Sequence, residues 1–231
     1  MYRVKYGDTW DIDLGLHVKT RPNIPVPERN IEVTEDKILT TSLTRDYGTY
    51  KDIEIDIEYN FISREDFEMK SIAIKKWIYN CKSKILILSD SVDYYRKVKK
   101  VTIDTITRSK KYLGSFKLTF RCDPNLYLVD GLKPITVNSS KNIKNNYDIS
   151  KPNYTITGEG MCTLTVNNNS VTINVGQSIV INTEKELCYK NDKSMANITT
   201  GNYKDLYLIK GNNAITVSDG FELSIVPNWR W

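Results

Sequence analysis

Hydrophobic and polar residues alternate without interruption in the segment KDIEIDIEY, residues 51–59. The apolar side carries Ile53, Ile55, Ile57 and Tyr59, and the other side carries Asp52, Glu54, Asp56 and Glu58. A period of two residues is typical of a β-strand that buries one face. The pattern predicts a strand whose isoleucines pack on a core. The row of four carboxylates is interpreted either as a solvated strand face or as a surface with a function.

A helix is predicted directly after this strand. Ser63 and Asp66 resemble a capping box with Asp in place of Glu or Gln. From there to about Asn80, one broad apolar stripe carries Phe67, Ala73, Ile74, Trp77 and Ile78. We therefore expect a helix that packs on the sheet. The predicted core of this region consists of Ile53, Ile55, Ile57, Phe67, Ile74 and Trp77.

Three further strands are predicted in the first half of the chain. They are KILILSD (84–90), YYRKVKKVTIDTITRS (94–109) and GSFKLTFRCD (114–123), with KKYLG (110–114) as the turn before the last one. The order strand, helix, strand, strand, strand has no βαβ alternation. It predicts an α+β domain in which one helix covers a mainly antiparallel sheet.

The second half shows no helical period. Short alternating runs are separated by Asn and Gly, and LTVNNNSVTI (164–173) is a hairpin signal. This spacing predicts a β-sandwich. The segment VNSSKNIKNNYDISKPN (137–153) is polar and lacks an apolar period. We therefore predict a mainly β protein with domains at 1–135 and 150–231, joined by a linker at 136–149.

Composition excludes several classes of function. The net charge of +5 in 231 residues is too small to indicate nucleic-acid binding by itself. No apolar run approaches the ~20 residues of a membrane span, and MYRVKYGDTW lacks the apolar region of a signal peptide. The four cysteines are widely spaced and are expected to be free thiols.

The residues give no candidate for catalysis or metal binding. His17 is the only histidine, and it has no Gly-rich nucleophile turn beside it. The chain cannot supply the closely spaced Cys and His ligands of a zinc site. It has no P-loop and no G-x-G-x-x-G. We predict that the protein is not an enzyme and uses neither a cofactor nor a metal.

Two tryptophans flank an arginine in the last residues, Trp229, Arg230 and Trp231. The preferred interpretation is a terminal strand that anchors its domain through tryptophan. The alternative is that the exposed rings stack on a sugar or on a partner, with Arg230 in a cation–π contact.

The order of several segments resembles the siphophage distal tail protein family, the ring at the tail-tip baseplate hub. In the first half these are RPNIPVPERNIEV (21–33), DYGTYKDIEIDIEYNFI (46–62), IKKWIYN (74–80), KILILSDSVDYYRKVKKV (84–101) and FKLTFRCDPNLYL (116–128). In the second half they are SKPNYTITGEGMCTLTVNN (150–168), ELCYKND (186–192), LIKGNNAITV (208–217) and LSIVPNWRW (223–231). One segment departs from the family, because residues 34–45, TEDKILTTSLTR, lack its Pro-Gly-Arg-Asp-Gly sequence.

The resemblance implies a homo-hexameric ring formed by a tail-tube-like first domain, with an outward galectin-like or carbohydrate-module-like second domain. The implied partners are the tail tube protein, a tail-tip hub or tail-associated lysin-type protein, and receptor-binding proteins. DNA would pass through the channel without specific binding. The implied location is the tail tip of a virion or of a phage-tail-like particle, made in the bacterial cytoplasm.

Such a ring would give the acidic row a role. Duplex DNA carries one negative charge per ~1.7 Å of its axis, so a channel lined by Asp52, Glu54, Asp56 and Glu58 would repel it. The basic segments RKVKK (96–100) and RSKK (108–111) are interpreted as solvated faces or as contacts to a neighbour, with Lys99 and Lys100 as the assembly candidates.

Two other functions stay open at this point. The first is a carbohydrate-binding module that recognises the host cell wall through the second domain, with Tyr154, Tyr189, Tyr203 and Tyr207 as candidate stacking residues. The second is a wall hydrolase, which the single histidine and the missing motifs make the weakest alternative.

Overall fold

The computed structural model describes residues 1–35, 41–63, 66–190 and 195–231. The chain divides into two compact units, Met1–Leu126 and Tyr127–Trp231. As predicted, the fold is mainly β, and the described residues contain a single α-helix.

The first unit is an antiparallel sheet with one helix. Its described elements are β1 (Val4–Tyr6), β2 (Thr9–Trp10), a 3-10 turn (Asp11–Leu14), β3 (Leu16–Val18), β4 (Arg29–Thr34), β5 (Leu43–Tyr50), β6 (Ile53–Ile62), α1 (Phe67–Tyr79), β7 (Ile85–Leu88), β8 (Tyr94–Ile103), β9 (Thr107–Lys110) and β10 (Leu113–Cys122). The strand order is β2-β1-β7-β8-β10-β6-β3, with β9 paired to β10. β4 and β5 pair with each other as a separate ribbon.

The core of this unit lies on one side of β6 and β10. These strands pair along their whole length, with Ile57 opposite Leu118 and Ile55 opposite Phe120. Because directly opposed residues point to the same face, the apolar sets of both strands share one side. All four of these side chains are buried, and each contributes roughly 1.5–3 kcal/mol to stability.

Helix α1 covers this core. Ile74 and Trp77 are buried, and the indole N–H of Trp77 donates to the Tyr6 carbonyl at 3.3 Å. The Asp66 carboxylate accepts a hydrogen bond from Glu68 N at 2.8 Å, so Asp66 caps the helix. The predicted cap at Ser63 is therefore wrong. The Ser63 hydroxyl donates to the Asp66 carbonyl instead, at 3.1 Å.

Two features of the first unit differ from the sequence interpretation. The run predicted as one strand over 94–109 is interrupted after Ile103. β8 and β9 then pair with successive parts of β10. The second difference lies at the start of the chain, where β1, β2 and β3 form without having been predicted. They are too short to show a clear alternation.

The second unit is a β-sandwich of two antiparallel sheets. Its described strands are β11 (Tyr127–Leu128), β12 (Ile135–Val137), β13 (Ser140–Asn145), β14 (Asn153–Gly158), β15 (Met161–Val166), β16 (Asn169–Asn174), β17 (Gln177–Asn182), β18 (Leu187–Lys190), β19 (Met195–Ala196), β20 (Ile198–Thr200), β21 (Gly211–Val217) and β22 (Glu222–Val226), with 3-10 turns at Val129–Leu132 and Tyr203–Leu206. One sheet has the order β12-β22-β14-β17-β18-β19 and the other β13-β21-β15-β16-β20.

The segment 136–149 is part of this sandwich and not a linker. Strand β13 pairs with β21 along its length, and Ile143 is buried. Asn145 is also buried, and its amide donates to the carbonyls of Asp148 and Leu208. Backbone pairing and asparagine hydrogen bonds order this polar segment, so its low apolar content gave no sign of a strand. The first unit also ends earlier than residue 135, at Leu126.

All four cysteines are free. Cys122, Cys162 and Cys188 are buried, while Cys81 is half-buried. Burial raises the pKa of the Cys122 thiol to about 12 and that of Cys188 to about 11. These two thiols are therefore protonated at neutral pH and are poor nucleophiles.

Candidate functional site: a charged strand face and an exposed ribbon

The acidic row lies on the side of β6 that faces away from the core. Glu54, Asp56 and Glu58 are exposed, while Asp52, just before the strand, is half-buried. The isoleucines fix this orientation, because turning the strand over would expose them and bury the carboxylates. The structure thus places all four acids on one surface. That this surface lines a channel stays a prediction.

Basic side chains of β10 lie beside this row. Lys117 stands directly opposite Glu58, and Arg121 stands directly opposite Glu54. Lys117 Nζ approaches Asp56 Oδ2 to 2.9 Å, and Arg121 Nε donates to Asp52 Oδ2 at 3.0 Å.

Two more cations and a hydroxyl complete the arrangement. Lys19 Nζ lies 3.3 Å from Glu58 Oε2, the Lys99 amine contacts Asp52, and the Thr119 hydroxyl donates to Asp56 at 2.6 Å. We call this surface the charged face and define it by Lys19, Asp52, Glu54, Asp56, Glu58, Lys99, Lys117, Thr119 and Arg121.

The surrounding hydrogen bonds favour the charged form of two of these carboxyl groups. Hydrogen bonds from Thr119 and Lys117 lower the pKa of Asp56. Burial acts to raise the pKa of Asp52, but hydrogen bonds from Lys99 and Arg121 outweigh it and lower that pKa. Conversely, hydrogen bonding to Asp56 raises the pKa of Lys117.

The charged face therefore carries as many cations as carboxylates, and basic side chains stand beside the acidic row. Among the described residues, three of the four carboxylates, those of Asp52, Asp56 and Glu58, form ion pairs with cations of the same unit. The sequence contains the signal for Lys117, Thr119 and Arg121, because FKLTFRC alternates in the same way as the acidic segment. Only the pairing of β6 with β10, which joins segments far apart in sequence, brings the two rows together.

The two lysines predicted as assembly contacts differ in their surroundings. Lys99 occupies a bulge in β8, between the pairs Lys100–Arg121 and Val98–Cys122. Its amine contacts Asp52 and lies 3.9 Å from Asp123, so it is engaged within its own unit. Lys100 is exposed. A role of either lysine in assembly stays a prediction.

The ribbon formed by β4 and β5 is exposed on both faces. Every residue of β5 is exposed, and so is every residue of β4 except Asn30. Ile31 and Val33 project from one face, and Leu43 and Tyr47 from the other, since Glu32 pairs with Arg45 and Val33 with Thr44. The segment 34–45, in which the sequence departs from the family, overlaps the ribbon, but residues 36–40 lie outside the described part of the chain.

Polar contacts stabilise the ribbon locally. Arg29 Nε lies 2.7 Å from Asp46 Oδ2, and the Tyr47 hydroxyl donates to Glu32 at 2.5 Å. The Arg45 guanidinium stands over the Tyr47 ring, 4.9 Å from its centroid. These contacts hold the two strands together but leave their apolar side chains uncovered.

The last three residues of the chain differ in burial. Trp229 is buried, and its carbonyl accepts a hydrogen bond from Leu128 N at 2.9 Å. Arg230 Nε donates to the Ile149 carbonyl at 2.7 Å, a hydrogen bond in place of the suggested cation–π contact. Trp231 is 49% exposed and meets the Tyr147 ring edge-to-face at 5.1 Å. Trp229 and Arg230 thus fit the anchoring interpretation, whereas Trp231 is available at the surface.

The tyrosines predicted to stack on sugars are less accessible than carbohydrate binding requires. Tyr154 is fully buried, and its hydroxyl donates to the Leu206 carbonyl at 2.7 Å. Tyr189, Tyr203 and Tyr207 are half-buried. Tyr154 is therefore a core residue, and it cannot stack on a sugar.

The described residues contain neither a metal-binding cluster nor a membrane-spanning helix. Over the described ranges, no three His, Cys, Asp or Glu side chains converge in a way that could hold a metal ion. His17 Nδ1 lies 3.4 Å from the Met1 sulfur. No helix in the same ranges has the length and apolar character needed to cross a membrane.

Comparison with known proteins gives a likeness at the level of structure. No protein-family profile matches the chain, and no curated protein sequence matches it. Among solved structures, it is similar to SPP1 Dit (gp 19.1), described as a paradigm of the hub adsorption apparatus in phages that infect Gram-positive bacteria. The TM-score is 0.65 at 9% identity, over 100% of this chain and 99% of the other. The predicted resemblance to distal tail proteins is confirmed in its fold: the chain folds like SPP1 Dit along its whole length.

Proposed function

We propose that this protein is a non-enzymatic structural component of a phage tail tip or of a phage-tail-like particle. Copies form a hexameric ring through their first units, and the ring joins the tail tube to the tip hub and to the host-recognition proteins. The observation that carries this proposal is the likeness to SPP1 Dit, which covers both units of the chain. A match of both units in one chain is more specific than a match of either β fold alone.

The exposed ribbon supports assembly. A two-stranded hairpin is marginally stable in water unless it packs on something else. Here the described residues leave both faces exposed, although Ile31, Val33, Leu43 and Tyr47 are apolar or aromatic. Packing the ribbon on a second copy would remove these side chains from water. A contact between two different surfaces of identical copies repeats around an axis and can close into a ring.

The charge-balanced face suits a channel for DNA. A free lysine or arginine row would bind phosphates, and each such contact adds to affinity. On the charged face, Lys117 and Arg121 already lie at Asp56 and Asp52. Phosphates would have to displace these carboxylates. The face would therefore bind the DNA backbone only weakly. Weak binding lets DNA slide through a channel.

Negative-stain electron microscopy of the purified protein tests the proposal. We expect six-fold rings with a central hole, and light scattering should give the mass of six chains. A protein that stays monomeric at high concentration, together with a particle whose tail tip shows no such ring, would overturn it.

A second candidate function is carbohydrate binding by the second unit. The observation that favours it is the half-exposed indole of Trp231 beside Tyr147, since exposed aromatic rings are suited to stacking on sugars. A glycan array with the full-length protein and with Trp231→Ala tests this. Specific binding that the substitution abolishes supports the candidate, and an array without binding removes it.

A further inference from the structure

A groove in the first unit combines apolar walls with one cation. Its volume is about 320 Å³, near the lower end of the ~300–1,000 Å³ range of ligand pockets. Ile24, Leu86, Leu88 and Leu126 contribute apolar wall, and Arg96 contributes the charge. None of these residues belongs to the charged face or to the exposed ribbon.

The pairing of β7 with β8 places the guanidinium there. Arg96 stands directly opposite Leu86, so the two side chains share one face. Val98 follows on the same face, is buried, and stands opposite Cys122. Arg96 thus projects from the side of the sheet that carries the core, where burial lowers its pKa.

Arg96 has no anionic partner among the described residues of its unit. Within the described part of the chain, no carboxylate comes within 4.0 Å of its guanidinium. The ionisable group that acts on it is Cys122, whose thiol is protonated because burial raises its pKa to about 12. Asp90 also borders the groove, but it accepts a hydrogen bond from the Tyr2 hydroxyl at 3.3 Å.

The side chains that line the groove indicate which chemical groups it would bind. A guanidinium that has lost part of its hydration gains most from a carboxylate, which accepts two parallel N–H hydrogen bonds. The leucine and isoleucine side chains next to it favour aliphatic groups, which leave water when they enter. A free inorganic anion would pair with the guanidinium but would make no apolar contacts. An acidic side chain between aliphatic residues would do both.

We propose that this groove binds an acidic side chain of a partner polypeptide, with aliphatic residues on either side of it. The carboxylate pairs with Arg96, and the aliphatic residues pack on Ile24, Leu88 and Leu126. The residues that line the groove lie outside the exposed ribbon, so substituting them leaves the ribbon itself unchanged.

The probe is the blocked tripeptide Leu-Glu-Leu, and its Leu-Gln-Leu analogue is the control for charge. Both are titrated into the full-length protein and followed by NMR at the backbone amides of Leu86, Tyr94 and Leu126. We expect the Glu peptide to shift these signals and to bind about tenfold more tightly than the Gln peptide. Equal shifts from both peptides, or none from either, would overturn the proposal.

Variants separate the charge from the shape of the groove. Arg96→Gln should abolish the preference for the Glu peptide, and Asp90→Asn should increase its affinity by removing a like charge. Lys110→Gln removes an exposed cation from β9 of the same unit and should change nothing. The thermal unfolding midpoint of each variant verifies that it is folded.

Inorganic phosphate distinguishes a peptide site from a general anion site. Phosphate should compete weakly with the Glu peptide. If phosphate shifts the same amides strongly while the Glu peptide does not, the groove is an anion site, and the acidic peptide is the wrong occupant.

Discussion

The Asp52 carboxylate accepts a hydrogen bond from Arg121 Nε at 3.0 Å, across the pairing of β6 with β10. The same carboxylate also contacts Lys99. An acid that sequence alone assigns to a repulsive row is thus held by two cations. This relationship makes the charged face a network of opposite charges, and it makes the stability of the first unit depend on pH.

Asp52→Asn should lower the free energy of unfolding at pH 7 by about 1 kcal/mol, since it removes the charge from hydrogen bonds with Lys99 and Arg121. The pKa of Asp52 is lowered in the fold from its ordinary 3.8. Its contribution is therefore present above pH 4 and is lost as the pH falls through the lowered value. Urea unfolding of both proteins should show a difference that shrinks below about pH 4.

Glu54→Gln is the matched control, because Glu54 is exposed on the same strand face. It should change the unfolding free energy little at either pH. A constant difference between wild type and Asp52→Asn across the acid range would contradict the pH argument.

The pKa of Asp11 is shifted in the opposite direction to that of Asp52, so its effect on stability should also depend on pH in the opposite way. Burial raises its pKa from 3.8 to about 6, although backbone N–H groups of Val4 and Ile12 donate to it. The folded state therefore favours the protonated acid. The contribution of Asp11 to stability should fall as the pH rises from about 4 to 6 and stay constant above that.

Carbon-detected NMR of the side-chain carboxyl groups tests this directly, with an expected Asp11 midpoint near pH 6. Asp11→Asn should remove this part of the pH dependence, because the amide stays neutral over the whole range. A midpoint at the ordinary value would refute the raised pKa.

Sequence predicted the parts of the fold in which local pattern and packing agree. The alternation around Ile55 and Ile57 gave the strand and its buried face, and the stripe through Ile74 and Trp77 gave the helix. The charge balance depends on the register between β6 and β10, which local sequence does not contain. Asn145 and Asn213 could not be identified either, because a buried asparagine with several partners looks like a turn residue in sequence.

The two faces of β6 should differ sharply in mutational cost. Ile57→Ala should destabilise the protein by about 2–5 kcal/mol, since it leaves a cavity under α1. Ile62→Ala, at the end of the same strand, should cost less than ~1 kcal/mol because that side chain is 60% exposed. Chemical denaturation of both variants measures the difference, and similar costs would mean that the core is wrongly assigned.

The ribbon should contribute to assembly and not to monomer stability. Ile31→Asp and Leu43→Asp place a charge on opposite faces of it. Either change should reduce the oligomer in size-exclusion chromatography with light scattering, while the unfolding free energy stays the same when it is measured at a concentration at which wild type is also monomeric. Met161→Asp is the control, because Met161 is exposed to a similar degree, 54% against 58% for Leu43, but lies in the second unit.

If both ribbon variants assemble as the wild-type protein does, the ribbon is not the contact between copies. If Met161→Asp also abolishes the oligomer, the second unit takes part in the contact. A variant monomer that is less stable than the wild-type monomer would show that the ribbon packs on its own unit.

The ribbon also has a consequence for newly made chains. Until it is covered, two strand edges and several apolar side chains are open to any other unfolded or half-folded polypeptide. Such surfaces promote aggregation at high protein concentrations. The charged residues Arg29, Glu32, Arg45 and Asp46 lie between the apolar ones, and charges in such positions oppose aggregation.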